Sequence, residues 1–299
     1  MKIAVTTPAG HIGSVAVGTL LDQGVKPVLI ARHPEKLQHA VDRGATVIQA
    51  DHGDAASLTA ATVGVDTLFV CVPADMTITD IHAWYRKFAE AAAAAATANG
   101  ISHVVLLSSA GADLERGNGP VAGLYLAEKI LSGAGIPHLT FLRPGYFMEN
   151  TLAQIPTIAQ AGKLFTTFPQ GVTFPMIATR DIGVRAAQAL RESPTEARRV
   201  VELHGGEITG YDEVAGVLSQ VLQRDVEHVS IPGEAFVGAL TQAGVSTTMA
   251  EALVELSDGI VNGSVAHREP RGPGNVTPTD YRAFAHEVFA PAMAQAAQA

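Results

Sequence analysis

A short apolar run, Ile3-Ala4-Val5-Thr6, leads into Thr7-Pro8-Ala9-Gly10-His11-Ile12-Gly13 and then into a stretch carrying Val15, Val17 and Leu20 at helix-like spacing. Glycine at 10 and 13 lets a chain turn sharply, bring backbone close to a pyrophosphate and pack a helix on a strand. The helix behind the turn supplies free N–H groups and the positive end of its dipole. Thr7, Gly10, His11, Ile12 and Gly13 are therefore expected to cradle the phosphates of a dinucleotide. Gly-x-x-Gly also suits an ordinary turn; its place, one strand in and opening a helix, favours the phosphate.

The second strand ends in Ala31-Arg32-His33-Pro34-Glu35-Lys36. An NAD site places a carboxylate there for the ribose hydroxyls, and none is present. Arg32 can form a bidentate or stacked contact with an adenosine 2′-phosphate, and Lys36 lies one helical turn on, so NADP(H) is the expected cofactor. Asp51 ends the third strand within reach of adenine, although Asp51-His52-Gly53-Asp54 also reads as a polar turn that caps the next helix. Pro73, just past the fourth strand, is counted with the cofactor residues. Ser108 and Ser109 follow the fifth strand, where a hydroxyl can face nicotinamide or substrate. Tyr125 and Lys129 have the Tyr-x-x-x-Lys spacing that sets a proton donor and an ammonium on one helical face, a spacing that a surface pair shares.

The elements that must position these residues alternate β-branched runs with helical stretches, the pattern of βαβ units. Strands are expected at 3–6, 28–30, 46–49, 67–72, 103–107 and 138–142, with helices at 12–23, 34–43, 55–61, 81–99 and 121–133. Right-handed crossovers then place helices on both faces of a parallel sheet, with ligand at the strands' C-terminal ends. Farther on, 151–161, 181–192, 211–223, 233–263 and 278–289 read as helices, 165–175 as a loop or hairpin and 200–203 as a strand. The expected fold is α/β: a Rossmann doubly wound parallel sheet with a smaller, mostly helical C-terminal substrate lobe. The nucleotide domain is expected over 1–150 with a returning segment at about 174–205, and the lobe over 151–173 and 206–299.

With 299 residues, 47% of them hydrophobic, the chain can bury a full core. Twenty Lys and Arg against 29 Asp and Glu leave a net charge of −9, which argues against a nucleic-acid or anionic-membrane partner. Cys71 is the only cysteine, so an intrachain disulfide and a thiolate zinc site within one chain are excluded. No apolar run approaches the roughly 20 residues that span a bilayer, and Met1-Lys2 opens directly on a strand. A cytoplasmic protein with a small-molecule substrate and no membrane contact is the expectation, with a homo-oligomer as a possible state. The eleven histidines are scattered without a metal-ligand spacing, so no metal is expected. Gly-x-Ser-x-Gly and Walker A motifs are absent, which disfavours a serine hydrolase and a P-loop nucleotidase.

Arg143-Pro144-Gly145-Tyr146-Phe147-Met148-Glu149-Asn150 follows the sixth strand. With this string, the Gly10-His11-Ile12-Gly13 turn, Arg32, Gly135-Ile136-Pro137, Asp181-Ile182-Gly183 and Gly206-Glu207-Ile208-Thr209, the chain resembles the NmrA-like family of atypical short-chain dehydrogenases/reductases over nearly its whole length. The resemblance implies a Rossmann lobe binding NADP(H), a small C-terminal lobe and a cleft between them. By analogy Tyr146, Phe147 and Asn150 wall the nicotinamide and substrate pocket, with Tyr146 and Asn150 as catalytic candidates. Two departures stand out. Thr7 replaces the first glycine of the usual Gly-Ala-Thr-Gly turn, and the family's helix register matches Glu128 to a frequent Glu and puts the usual Lys position on Leu124, displacing the Tyr125–Lys129 pair by about a turn. Family members include quinone and azo-dye reductases, plant reductases of phenolic ethers and nucleotide-binding regulators. The expected function is NADPH-dependent hydride transfer to a small electrophile such as a quinone; the alternative is a nucleotide-sensing regulator that acts through a protein partner.

Overall fold

The computed structural model describes residues 1–298. Its first half alternates β1 (Ile3–Thr6), α1 (His11–Asp22), β2 (Val28–Ala31), α2 (Gln38–Asp42), β3 (Thr46–Gln49), α3 (Ala55–Ala61), β4 (Thr67–Val70), α4 (Ile81–Asn99), β5 (His103–Leu107), α5 (Ala122–Ser132) and β6 (His138–Pro144). Local chemistry sets the longest helix: the Asp80 carboxylate accepts from the Ala83 N–H at 2.8 Å, and Gly100 ends it at φ 64°. Between them Ala89, Ala91, Ala92, Ala95 and Ala96 are buried, a small-residue face that packs close to its neighbours.

The second half contains β7 (Tyr146–Phe147), α6 (Ile155–Ala161), β8 (Lys163–Thr166), β9 (Thr173–Ile177), α7 (Thr179–Arg191), β10 (Arg198–Leu203), β11 (Ile208–Gly210), α8 (Tyr211–Leu222), β12 (Glu227–Ser230), α9 (Gly233–Gln242), α10 (Thr247–Val261), α11 (Tyr281–Phe284) and α12 (Ala290–Ala296). A seven-stranded sheet in the order β3-β2-β1-β4-β5-β6-β10 is parallel throughout. Helices α1 and α7 cover one face around Val5, Leu20, Phe69 and Ile182, and α3, α4 and α5 the other around Leu58, Leu68, Leu106 and Leu131. Strand order reverses between β1 and β4, where ligands bind such sheets. At that point the Thr6 hydroxyl donates to the Phe69 carbonyl and accepts from the Cys71 N–H, both at 3.0 Å.

A third core, built on Phe168, Phe174, Tyr211, Tyr281, Phe284 and Phe289, lies beneath two small sheets, β11-β9-β7 and β12-β8. The expected loop or hairpin at 165–175 instead holds the end of β8 and the start of β9, which do not pair with each other. β8 pairs in parallel with β12, and β9 with β7 and β11. Partners so far away in sequence leave no hairpin signal. The helix expected at 151–161 is a 3₁₀ turn, Met148–Gln154, followed by α6 with Pro156 in its first turn. Gly244, at φ 92°, divides the helix expected at 233–263 into α9 and α10, and the last helix continues past 289 to Ala296. β4 stops at Val70 rather than at 72. No helix among the described residues is long and apolar enough to cross a membrane.

Candidate active site

Thr7 occupies the left-handed region at φ 50° in the position where the resemblance leads one to expect glycine. That conformation costs a non-glycine residue roughly 1–2 kcal/mol, and it lets the Thr7 carbonyl turn back to accept from the Gly10 N–H at 3.0 Å. Gly13 is required by the same carbonyl: a Cβ there would stand 2.1 Å from it. Gly10 is the N-cap of α1 and has no side chain to offer, and no acidic residue lies in the helix's first turn. The first N–H groups of α1, at His11, Ile12 and Gly13, are thus left without a side-chain cap. The Thr7 hydroxyl is buried with no partner. An uncapped, acid-free helix start beside an unpartnered hydroxyl fits a phosphate-bearing ligand.

Arg32 and Lys36 are exposed, and among the described residues neither has a carboxylate within 4 Å, the nearby Glu35 being taken by His33. Asp51 is engaged in its own turn, one oxygen accepting from the Gly53 N–H at 2.9 Å and the other 3.9 Å from Lys87 Nζ; Asp54, not Asp51, caps α3. Behind them His52 is buried against the Phe88 ring, and burial, helped by the charges of Arg32 and Lys87, pushes its pKa down to about 4. The Pro73 carbonyl accepts from the Trp84 indole N–H at 2.9 Å.

The sequence places Ser108, Tyr125 and Lys129 near this chemistry, whereas the structure directs them elsewhere. Ser108 donates its hydroxyl to Glu128 at 2.6 Å, and Glu128 in turn accepts two bonds from Arg143, at 2.9 and 2.6 Å. This buried network locks β6 to α5 and uses up the Ser108 hydroxyl. Lys129 Nζ donates to the Tyr125 hydroxyl at 3.2 Å, which raises the Lys129 pKa. The pair opens on a separate hollow with Asp113 and Arg198, the reason being the helix register: Gly123, one turn before Ala127, faces Tyr85 of α4, where a Cβ would meet the ring at 2.1 Å.

Tyr146 and Ser109 do line a common cavity of about 550 Å³ at the C-terminal ends of β5, β6 and β10, closed by Leu256 and Ile260 of α10 and by residues 263–271. The Tyr146 hydroxyl lies 3.1 Å from that of buried Tyr211, and its ring is set among Phe168, Phe174 and Tyr211. Burial pushes its pKa up, while Tyr211 and Asn150 beside it pull the other way. Because Tyr211 donates to it, the half-buried Tyr146 hydroxyl keeps its own proton uncommitted at the cavity. Asn150 is exposed on the 3₁₀ turn, and Phe147 packs against the core beneath the sheet.

Four titratable cavity residues escaped the sequence reading: His204, His267, Glu269 and Arg271. The two imidazoles stack with centroids 3.9 Å apart. They are 63 positions apart in a chain with scattered histidines, and no local pattern marks them. Motif residues such as Asp181 and Gly183 prove to be packing devices: Asp181 accepts from Thr279 N and Oγ1 at 3.0 and 2.9 Å, and a Cβ on Gly183 would come within 2.6 Å of Val15.

A parallel sheet ordered 3-2-1-4-5-6 with a glycine turn at its switch point, and a second small core beside the strand ends, defines a Rossmann-type nucleotide-binding protein with a substrate lobe. The chain belongs to the NmrA-like family, whose model matches residues 1–268. It is 29% identical over 272 residues to quinone oxidoreductase 2 of Escherichia coli, covering 88% of this chain and 89% of that protein. It is 32% identical over 266 residues to a (4-alkanoyl-5-oxo-2,5-dihydrofuran-3-yl)methyl phosphate reductase of Streptomyces griseus, 86% of either chain. The crystal structure of an E. coli NADPH-dependent quinone oxidoreductase complexed with NADPH superposes with a TM-score of 0.76 at 27% identity, over 89% of this chain and 91% of that one.

Proposed function

We propose that the protein is an NADPH-dependent reductase that passes hydride to a small, flat electrophile of the quinone type. The observation that carries this reading is the pairing of an open, cation-flanked phosphate turn with a largely apolar cavity at the neighbouring strand ends. The relatives named as a quinone oxidoreductase and a furanyl phosphate reductase support it. NADPH, when bound, supplies the hydride. Thr7 and the N–H groups of residues 11–13 hold its pyrophosphate, and Arg32 with Lys36 holds the 2′-phosphate. Ser109 and Tyr146 shape the space where the substrate meets the nicotinamide, and α10 with residues 263–271 excludes water from it. Good electron acceptors need little help from a protein acid, which accords with the diversion of Tyr125 and Lys129 to another face.

Following nicotinamide absorbance with purified protein, NADPH or NADH and a panel of quinones, enones and aldehydes tests the proposal. Multiple turnovers with NADPH preferred are expected. Tight NADPH binding with no acceptor ever reduced would overturn it.

A further inference from the structure

The cavity's apolar walls end in one polar corner. His204, only 4% exposed, has Nε2 3.2 Å from the Glu269 carbonyl, which assigns its proton there, and Nδ1 is left with no partner. The His267 ring stacks on it and makes no well-formed hydrogen bond, although the backbone carbonyls of Arg143 and Leu203 stand close enough to draw on its N–H. Arg271 donates from Nη2 to the Gly206 carbonyl at 3.0 Å, while Nη1 has no partner and no solvent. Among the described residues no carboxylate stands within 4 Å of it, the ion pairs of this segment being made by Arg268 instead. Buried cations are ordinarily paired, and a buried polar nitrogen without a partner has given up its hydration for nothing. At this corner Arg271 Nη1 and one His267 N–H are donors that a ligand oxygen would satisfy, while His204 Nδ1, with the proton held at Nε2, can only accept.

We propose that Arg271, with His204 and His267 beside it, receives a carbonyl oxygen of the substrate, so that the cavity selects flat, apolar compounds ending in such an oxygen. The proposal rests on the reductase reading above and adds the residues that set its acceptor class. These nitrogens have no exposed surface in the empty cavity, so binding requires the Arg271 guanidinium to rotate into the space that its residue lines. Once hydride has been delivered to a quinone, leaving a hydroquinone monoanion, the added negative charge is carried on oxygen. Arg271 stabilises that oxygen by donating to it, and solvent supplies the proton that completes the hydroquinone. His204 Nδ1 can then accept the new O–H. Burial pushes His267 down to about 4, and burial lowers His204 as well, so both imidazoles add hydrogen-bonding capacity without charge near neutrality.

The test uses 4-nitrophenol, a flat probe whose absorbance separates phenol from phenolate, titrated with the full-length protein saturated with NADP⁺. Wild type is expected to favour the phenolate, lowering the probe's apparent pKa by about one unit, a tenfold change in its ionisation constant. Arg271→Gln should return it to the free value and Arg271→Lys should fall between, with NADPH affinity and circular dichroism unchanged in both. His267→Phe keeps the stacked ring but not the nitrogens, and should weaken binding at least fivefold. An unchanged shift in Arg271→Gln, or no binding of the probe to wild type at millimolar concentration, overturns the proposal. Quinone turnover is measured on the same samples. Turnover that ignores Arg271 sinks this subsite alone, whereas an Arg271-dependent shift without turnover sinks the reductase reading and leaves the subsite standing.

Discussion

The two ends of the cleft handle charge in opposite ways. At the nucleotide end Arg32 and Lys36 stand exposed and unpaired, and α1 begins with no acid or cap. At the cavity end Arg143 is buried and bound bidentately to Glu128, Asp113 binds Arg268, and the walls are apolar. An exposed cation keeps its hydration, so the fold loses little by leaving it free. Beneath the cavity an unpaired Arg143 would cost several kcal/mol, and it is given a carboxylate; Arg271, with Nη1 buried and no carboxylate within 4 Å among the described residues, is the exception that a substrate oxygen would satisfy. The first arrangement serves affinity; the second serves stability and keeps the cavity dry.

Breaking the buried pair should have the largest effect. Arg143→Met leaves Glu128 buried without its partner and is expected to destabilise the fold by about 3–5 kcal/mol, read from urea unfolding. A loss below about 1 kcal/mol would mean that the cavity end tolerates free charge as well as the nucleotide end does.

Acid comes next. His52 at one end and His267 at the other both titrate near 4 in the folded protein, against 6.5 for the ordinary imidazole. The unfolded chain therefore binds more protons between those values, and stability should be complete above pH 6.5 and lost progressively as pH falls toward 4. Each ring contributes on the order of 2–3 kcal/mol. His267→Phe should flatten that slope by the share of one ring; an unaltered slope would show that His267 is already charged or solvated in the native state.

Arg32→Ala should leave stability within about 0.5 kcal/mol, as surface changes do, yet weaken NADPH binding roughly 10- to 100-fold and NADH hardly at all. Fluorescence titration with both nucleotides decides it, and equal losses for the two would remove Arg32 from the 2′-phosphate. The smallest effect belongs to Thr7→Gly. Relief of the left-handed backbone, less glycine's own entropy, is expected to raise stability by about 0.5 kcal/mol. If nucleotide affinity also falls severalfold, the buried Thr7 hydroxyl is a phosphate ligand and the strain is retained for binding.

The nucleotide end was legible because its signals are local. Gly10 and Gly13 lie three residues apart, Arg32 ends a recognisable strand, and the alternation of strands and helices through residue 144 is written in apolar periodicity and in caps such as Asp80 and Gly100. The cavity end was not. Its small sheets join segments dozens of residues apart, so β8 and β12, or β9 and β11, carry no turn signal between them. Tyr125 and Lys129 have the right spacing on the wrong face, since spacing fixes only their proximity to each other, whereas the packing of Gly123 on Tyr85 fixes where the helix points them.

By itself, the sequence determined a parallel Rossmann-type sheet, a glycine turn opening its first helix and the exposed Arg32 and Lys36 past the second strand, because each depends on residues within a few positions of one another. Tertiary structure alone decided that Ser108 would serve Glu128, that Tyr146 would face Tyr211, and that His204, His267 and Arg271 would meet at one wall. Those outcomes depend on which surfaces bury together, and burial is a property of the whole chain folded on itself.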